Sequence, residues 1–261
     1  MPEGIICGNI IAAASEIHSK TSFECLRASM GYADLHIHSN YSPDGLHSIS
    51  QILRHVAQLE HVNVIAITDH DVLRGSLECV ERAPRFHIQA IPGMEITTAD
   101  GHLLAYFIQR PIPAGRPLLE TLARIGEQGG LAILPHPMRF WGSHRWPALR
   151  EALNHPEGRA VLVGIEVIDA WGENRHGVRL AAHYGLACCG NSDAHVLEAI
   201  GQTCTQFPGE GAISLREALT QGQVHARLFS PPSVYDLALS YARTRRKIQK
   251  EPPTQPLADR L

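Results

Sequence analysis

Side chains that can bind metal ions recur in this sequence where short apolar segments end. The stretch ADLHIHSNYSPDG, residues 33–45, predicts a strand that carries His36 and His38 on one face, because side chains two positions apart in a strand point the same way. Either a metal ion or plain exposure to solvent can satisfy two neighbouring imidazoles. The spacing of this pair alone therefore does not identify a metal site.

Histidines, aspartates and glutamates also follow most of the later predicted strands. The candidate metal ligands, in chain order, are His36, His38, Asp44, His70, Glu95, His102, His136, Asp193 and His195. Asp69 alternates with His70, so we expect it to face away from the metal ions and to form a structural hydrogen bond. Glu166 is expected to orient neighbouring side chains.

Nine ligands are too many for one ion, since a transition metal takes four to six. The set therefore indicates two or three ions that share a bridging carboxylate. Its imidazole content favours zinc, iron or manganese over magnesium or calcium. Three divalent ions and three carboxylates leave a net charge of about +3, which suits an anionic substrate and above all a phosphate ester.

The elements that must position these residues alternate between strand-like and helix-like patterns from Ala33 onward. About seven strands with intervening helices indicate a parallel α/β fold, in which functional residues gather at the carboxyl ends of the strands. A closed, TIM-like barrel brings such residues into a ring, whereas an open doubly wound sheet spreads them along a line. The sequence therefore favours a barrel with its metal site at the strand ends. A hairpin at TTADG is the expected exception to the alternation.

Composition limits the remaining choices. The chain has 261 residues and a net charge of −3, so nothing global indicates nucleic-acid binding. No apolar run is long enough for a transmembrane helix, no basic segment precedes GIICGNIIAAA, and the cysteines lack a CxxC spacing, so we expect a cytoplasmic protein that does not bind membranes. The predicted organisation is an N-terminal extension over 1–31, disordered or helical, a catalytic domain over 32–240, and a basic, then proline-containing tail over 241–261, a frayed helix with a disordered end.

Another class of metal barrel, the amidohydrolase type, also begins with an HxH motif. Its common binuclear form bridges two ions with a carboxylated lysine. The lysines here are Lys20, Lys247 and Lys250, so none lies between residues 21 and 246. Glu95 is the available bridge instead.

The ordered motifs DLHIHSNYSPDG, AITDHD, PGMEI, LPHP and GNSDAH resemble those of the PHP (polymerase and histidinol phosphatase) superfamily. The resemblance covers roughly residues 33–230 and implies a distorted (β/α)7 barrel with a phosphoesterase site. It also implies three ion sites: one with His36, His38, Glu95 and Asp193, a second with Glu95, His102 and His136, and a third with Asp44, His70 and His195.

The expected activity is hydrolysis of a phosphomonoester by a metal-activated water, with a nucleotide or a related small phosphorylated metabolite as substrate. The predicted catalytic residues are His70, His195 and Asp193, and the histidines assist proton transfer to the leaving group. Arg139 and Arg175 are candidates for gripping the phosphate. The sequence leaves the exact substrate, the metal and the oligomeric state open.

The closest resemblance is to small bacterial phosphoesterases that include nucleoside-bisphosphate phosphatases, many of which insert a capping domain after the GHLLAY region. Here only residues 103–135 separate His102 from His136. The predicted site is therefore more open and can accept oligonucleotide ends. One alternative is a phosphodiesterase, nuclease or cyclic-phosphate hydrolase, and another is an inactive PHP module that serves as a scaffold.

Overall fold

The computed structural model describes residues 29–137, 145–169, 172–230 and 233–250. Its strands are β1 (Met30–Ile37), β2 (Val64–Ile67), β3 (Gln89–Ala90), β4 (Gly93–Thr98), β5 (Gly101–Tyr106), β6 (Leu131–Leu134), β7 (Leu162–Asp169), β8 (Gly172–Glu173), β9 (Ala187–Gly190), β10 (Thr203–Pro208) and β11 (His225–Leu228). Its α-helices are α1 (Ile49–Val56), α2 (Arg74–Arg82), α3 (Leu118–Gly126), α4 (Trp146–Asn154), α5 (Pro156–Val161), α6 (Arg175–Tyr184), α7 (Gly211–Gln221) and α8 (Val234–Lys250).

Local sequence signals set the limits of the helix that follows β7 and β8. The Asn174 side chain accepts a hydrogen bond from the backbone N–H of Gly177 at 3.0 Å, as an N-cap residue does at the start of α6. The helix ends at Gly185, whose φ of 62° lies in the left-handed region that glycine adopts without strain. Both signals are local residues of the sequence, so the limits of α6 follow from the chain itself.

The strands form two sheets. The first has the order β11-β10-β1-β2-β3, and the second has the order β4-β5-β6-β7-β8 with β9 paired to β7. The pairs β1–β2, β6–β7 and β7–β9 are parallel, whereas β5 is antiparallel to both of its neighbours. The hairpin at TTADG explains the orientation of β5 relative to β4, because a tight turn can join only antiparallel strands. The ladders of the described residues do not form one closed barrel.

The two sheets meet at two isolated bridges. One joins His70 to Glu95 and the other joins Ile37 to Ala194. At the second bridge the backbone N–H of His38 donates to the Ala194 carbonyl at 2.9 Å, and the Ala194 N–H donates to the His36 carbonyl at 3.1 Å. The first bridge joins two predicted metal ligands, and the residues of the second bridge are next to predicted ligands in the chain. These ligands therefore lie where the sheets come together.

An apolar cluster lies between the two sheets. Leu35 and Ala66 from the first sheet pack with Leu104, Ile133 and other buried residues of the second. Tyr106 crosses this interior, where its hydroxyl donates to the Leu35 carbonyl at 2.8 Å. Helices α1 and α2 contribute to a second cluster on the outside of the first sheet, and α3–α6 contribute to a third on the second sheet. The strands that carry the predicted ligands are therefore held in place by packed apolar side chains.

The structure describes every residue between His102 and His136, where the sequence predicts no inserted capping domain. Between His102 and His136 the chain forms only the rest of β5, α3 and β6 with their connections. At the other end of the chain, α8 runs across residue 240, where the sequence predicts a domain boundary, and continues to Lys250. Residues 1–28 of the predicted extension over 1–31, and residues 251–261 of the predicted tail over 241–261, lie outside the described residues. None of the helices in the described ranges has the length and apolar content needed to cross a membrane.

Asp34→Ala should lower the free energy of unfolding by about 2–4 kcal/mol, because it leaves buried backbone donors without an acceptor. The Asp34 carboxylate is fully buried and accepts from the N–H groups of Ser192 at 3.0 Å and Gly201 at 2.9 Å, which ties β1 to the segments after β9. Urea denaturation measures the change, and Glu217→Ala, on the exposed face of α7, is the control. Equal midpoints for both variants would contradict this role.

Candidate metal centre

Glu95, in the middle of β4, is the centre of the predicted ligand set. Its carboxylate oxygens lie close to a ring nitrogen of five histidines: 2.9 Å from His102 Nδ1, 3.1 Å from His36 Nε2, and 3.3 Å from His38 Nε2, His70 Nδ1 and His136 Nε2. His36 and His38 lie at the end of β1, whereas the other three histidines lie after β2, in β5 and after β6. The side chain is almost fully buried, so these nitrogens replace water around its charge.

The other two carboxylates extend the cluster on either side of Glu95. Asp193 Oδ1 lies 3.3 Å from His38 Nε2 and 3.4 Å from His36 Nε2. Asp44 Oδ2 lies 3.1 Å from His195 Nε2 and 3.2 Å from His70 Nε2. All nine predicted ligands therefore meet in one continuous cluster.

Four sets of three donor atoms in this cluster lie within 4.8 Å of one another: His36, Glu95 and His136; His36, His38 and Asp193; His38, Asp44 and His70; and His70, Glu95 and His102. These sets overlap but do not reproduce the three ion sites that the family resemblance implies. His102 and His136, for example, are expected to share one site with Glu95, but they fall in two different sets. The division among ions remains a prediction.

The cluster has a buried floor and a partly exposed rim. The side chains of His36, His38 and Glu95 are at most 1% exposed, whereas those of His70, His102 and His195 are 22–23% exposed and that of Asp44 is 35% exposed. A substrate must therefore approach from the side of Asp44, His70, His102 and His195.

The hydrogen bonds of His36 test whether this cluster suits a metal ion. Its Nδ1 lies 3.0 Å from Glu166 Oε1, and a neutral imidazole carries only one N–H. With that proton on Nδ1, Nε2 presents a lone pair to Glu95 and to His38 Nε2, which lies 3.2 Å away. Acceptors that face one another need either a proton or a metal ion between them. The donor set therefore fits a divalent ion, held by an imidazole that a carboxylate orients.

The short distances between carboxylates and imidazoles also control the protonation of the metal-free cluster. Burial alone would lower the pKa of His38, but its hydrogen bonds with Asp193 and Glu95 outweigh burial and raise that pKa to about 10. Burial opposes ionisation of Glu95, yet the charge of His36 and the hydrogen bonds with His102 and His136 hold its pKa well below the usual range. In the absence of metal the carboxylates therefore favour the protonated form of His38, and a bound ion must displace that proton.

Glu166, on β7, orients the floor of the cluster. Besides His36, its carboxylate accepts from the backbone N–H of His136 at 2.9 Å and from the Asn191 side chain at 2.8 Å. Glu166 belongs to none of the four donor sets of the described residues. Its position supports the predicted orienting role, and Asn191 is a supporting residue that the sequence analysis missed.

Asp69 holds the loop after β1. Its carboxylate accepts from the backbone N–H of Ser39 at 2.6 Å and from the Ser39 hydroxyl at 2.7 Å. Ser42 in the same loop donates to Asp44 at 2.9 Å, which positions that carboxylate. Serines so close to an HxH motif were a signal for this role that the sequence analysis did not use.

Two of the predicted ligands have a strained backbone. His136 has a φ of 27° and Asp193 a φ of 50°, and neither is glycine. Such conformations cost of the order of 1 kcal/mol each and persist where surrounding contacts impose them. Here they direct the His136 side chain toward Glu95 and the Asp193 side chain toward His36.

No contact among the described residues joins Arg175, one of the two predicted phosphate-binding arginines, to the cluster. Arg175 is the first residue of α6 and is exposed. Arg139 lies outside the described residues. Their role in binding phosphate stays a prediction.

Glu166→Gln should weaken metal binding by about 10–100-fold. The two carboxylate oxygens of Glu166 accept hydrogen bonds from His36, His136 and Asn191, whereas glutamine has only one acceptor oxygen. Competition with a chromogenic chelator measures the affinity. Glu173→Gln, on the exposed strand β8, is the matched control. Unchanged affinity in the Glu166 variant would remove its orienting role.

Comparison with known proteins agrees with this geometry. The sequence model of the PHP domain matches residues 34–168, and that of the PHP-associated region matches residues 171–224. An uncharacterized protein of Methanocaldococcus jannaschii is 36% identical over 149 residues, which cover 53% of this chain and 82% of that protein. A 5'-3' exoribonuclease of Haemophilus influenzae is 33% identical over 104 residues, 38% of this chain and 37% of the enzyme.

The fold is similar to that of a two-domain protein from Bacteroides vulgatus that contains a predicted PHP-like metal-dependent phosphoesterase. The TM-score is 0.67 at 21% identity, over 83% of this chain and 70% of that one. The match of the PHP domain to more than half of the chain includes seven of the nine clustered ligands. The chain therefore belongs to the PHP domain family.

Proposed function

We propose that this protein hydrolyses a phosphomonoester, in a nucleotide or a related small phosphorylated metabolite, with two or three divalent transition-metal ions. The observation that carries the proposal is the contact of one buried carboxylate, Glu95, with five imidazoles, flanked by Asp44 and Asp193. Membership of the PHP family supports it. An inactive scaffold would not need to retain all nine ligands in contact.

When bound, zinc, manganese or iron would lower the pKa of a water molecule and offset the charge of the phosphoryl oxygens. The chain's own residues perform the remaining tasks. Glu95, Asp193 and Asp44 keep the donors in place. His70 and His195 lie at the exposed rim beside Asp44, and whichever of the two does not bind an ion can donate a proton to the leaving oxygen.

The proposed architecture for this site is a distorted (β/α)7 barrel. The bridges His70–Glu95 and Ile37–Ala194 connect the two sheets on both sides of the cluster, and a common interior lies between the sheets. These contacts support the barrel as the arrangement that gathers strand ends into a ring.

The test is a substrate panel on protein reconstituted with zinc, manganese or iron. We expect phosphate release from nucleoside monophosphates and sugar phosphates, and a kcat/KM for p-nitrophenyl phosphate at least about tenfold above that for bis(p-nitrophenyl) phosphate. Turnover of the diester alone would contradict a monoesterase. Absence of turnover for every ester, with metal bound, would support a scaffold.

A nuclease is the second candidate. Two observations favour it: the similarity to an exoribonuclease, and the short connection between His102 and His136, which leaves no room for an inserted capping domain. A 5′-phosphorylated trinucleotide distinguishes the two functions. Release of mononucleotides would support the nuclease, and release of inorganic phosphate alone would support the phosphatase.

A further inference from the structure

Helix α8 forms a wall beside the exposed rim of the ligand cluster. Leu237 is 8% exposed and packs in the same apolar cluster as Val196 and Ala199, which follow His195 in the chain. The Tyr241 ring lies edge-on to the His195 ring, with centroids 6.4 Å apart. These contacts fix one face of α8 against the site.

A cavity of about 330 Å³ lies between this helix and the cluster. Asp44, Asp193 and His195 line one end of the cavity. The side chains of Val196, Ala199, Leu237 and Tyr241 make the rest of its wall mainly apolar. A molecule in the cavity therefore contacts metal ligands at one end and hydrocarbon at the other.

The size and lining of the cavity define the chemistry that fits it. An apolar cavity of about 150 Å³ holds benzene, so this one has room for a ring system. The guanidinium of Arg245 lies 6.0 Å from the centre of the Tyr241 ring, and Arg245 donates a long, 3.4 Å hydrogen bond to the Tyr241 hydroxyl. Arg245 and His195 thus hold the Tyr241 side chain in place where it lines the cavity, and an aromatic lining residue favours an aromatic ligand.

From this arrangement we infer that the pocket binds an aromatic ring in the leaving group of the substrate, and that Leu237, Ala238 and Tyr241 determine the preference for it. The inference rests on the proposed phosphomonoesterase function. It concerns a feature of this chain, because the family matches end at residue 224 and α8 begins at Val234.

The experiment compares benzyl phosphate with ethyl phosphate on the full-length, metal-reconstituted protein. Both are primary alkyl esters with leaving groups of similar basicity, so a difference in kcat/KM reports binding of the ring. We expect the benzyl ester to be favoured at least about tenfold, mainly through KM. Phosphate release measures both reactions.

Ala238→Trp is the variant that fills the pocket. Ala238 lines the cavity but is itself exposed, so a larger side chain does not have to enter the core. We expect the benzyl-to-ethyl ratio to fall at least about tenfold. Gln249→Trp is the matched control: it adds the same ring to an exposed position of α8, about 16 Å further along the helix axis, and should keep the wild-type ratio.

Binding of benzylphosphonate and ethylphosphonate, measured by calorimetry, separates this inference from the proposed function. Preference for benzylphosphonate that is lost in Ala238→Trp supports the pocket even if neither ester is hydrolysed, in which case only the proposed function fails. Turnover of both esters with equal kcat/KM overturns the pocket and leaves the function intact. Equal binding of the two phosphonates also overturns it, as does a ratio that changes equally in Gln249→Trp.

Discussion

Glu95→Gln is expected to remove more metal and more activity than any single histidine substitution in the cluster. Glutamine keeps the size of the side chain but loses the charge and one acceptor oxygen, while Glu95 lies within 3.3 Å of five histidine nitrogens. Because a bridging carboxylate serves two ions, we expect the loss of more than one ion per chain. The expected fall in kcat/KM is at least about 10³-fold, or about 4 kcal/mol.

Elemental analysis and phosphate release on the same preparations measure both effects. His102→Ala serves as the single-ligand comparison. Glu120→Gln serves as the charge control, because Glu120 is partly exposed and pairs with Arg124 on α3. A Glu95→Gln protein with wild-type metal content and turnover would show that Glu95 does not bridge two ions.

Metal affinity is expected to rise steeply with pH between pH 6 and 8. Without metal, burial is outweighed at His36 by the charges of Glu166, Asp193 and Glu95, and its pKa lies well above the usual value. The pKa of His38 is raised to about 10. These imidazoles therefore hold protons that a metal ion must displace, and each displaced proton makes the affinity rise roughly tenfold per pH unit.

Calorimetric titration of metal-free protein in two buffers with different heats of ionisation counts the released protons. We expect at least one proton per ion. His183→Ala is the control, because His183 lies near the end of α6 and outside the cluster. An affinity that does not change between pH 6 and 8 would contradict the protonated state of the free cluster.

The residues of the cluster could be predicted from the sequence because their signals are local. Period-2 spacing places His36 and His38 on one face, and the ends of β6 and β9 deliver His136 and Asp193 to the same side of the sheets. Glu95 lies in the middle of β4 rather than at the strand end that the sequence predicts. The structure brings all of them into contact. Which donors share an ion could not be predicted, since it depends on distances of a few ångströms between separate strands.

Strand pairing and the surroundings of the cluster were harder to predict from the sequence. Strands β10 and β11 were not predicted from the sequence. The second, HARL, is largely exposed and lacks an alternating apolar pattern. Strands β10 and β11, which are connected through α7, extend the first sheet beyond β1 by antiparallel pairing. Leu237 and Tyr241 are spaced four apart, which predicts a buried helix face, but nothing local indicates that this face lies next to His195.

The number of ions per chain tests the central claim most directly. Full-length protein is stripped with a chelator, reconstituted with zinc, manganese or iron, freed of excess metal and examined by elemental analysis. The nine clustered side chains predict about two to three tightly bound ions per chain for at least one metal. Less than one ion per chain for all three metals, in protein that remains folded, would contradict a polynuclear centre.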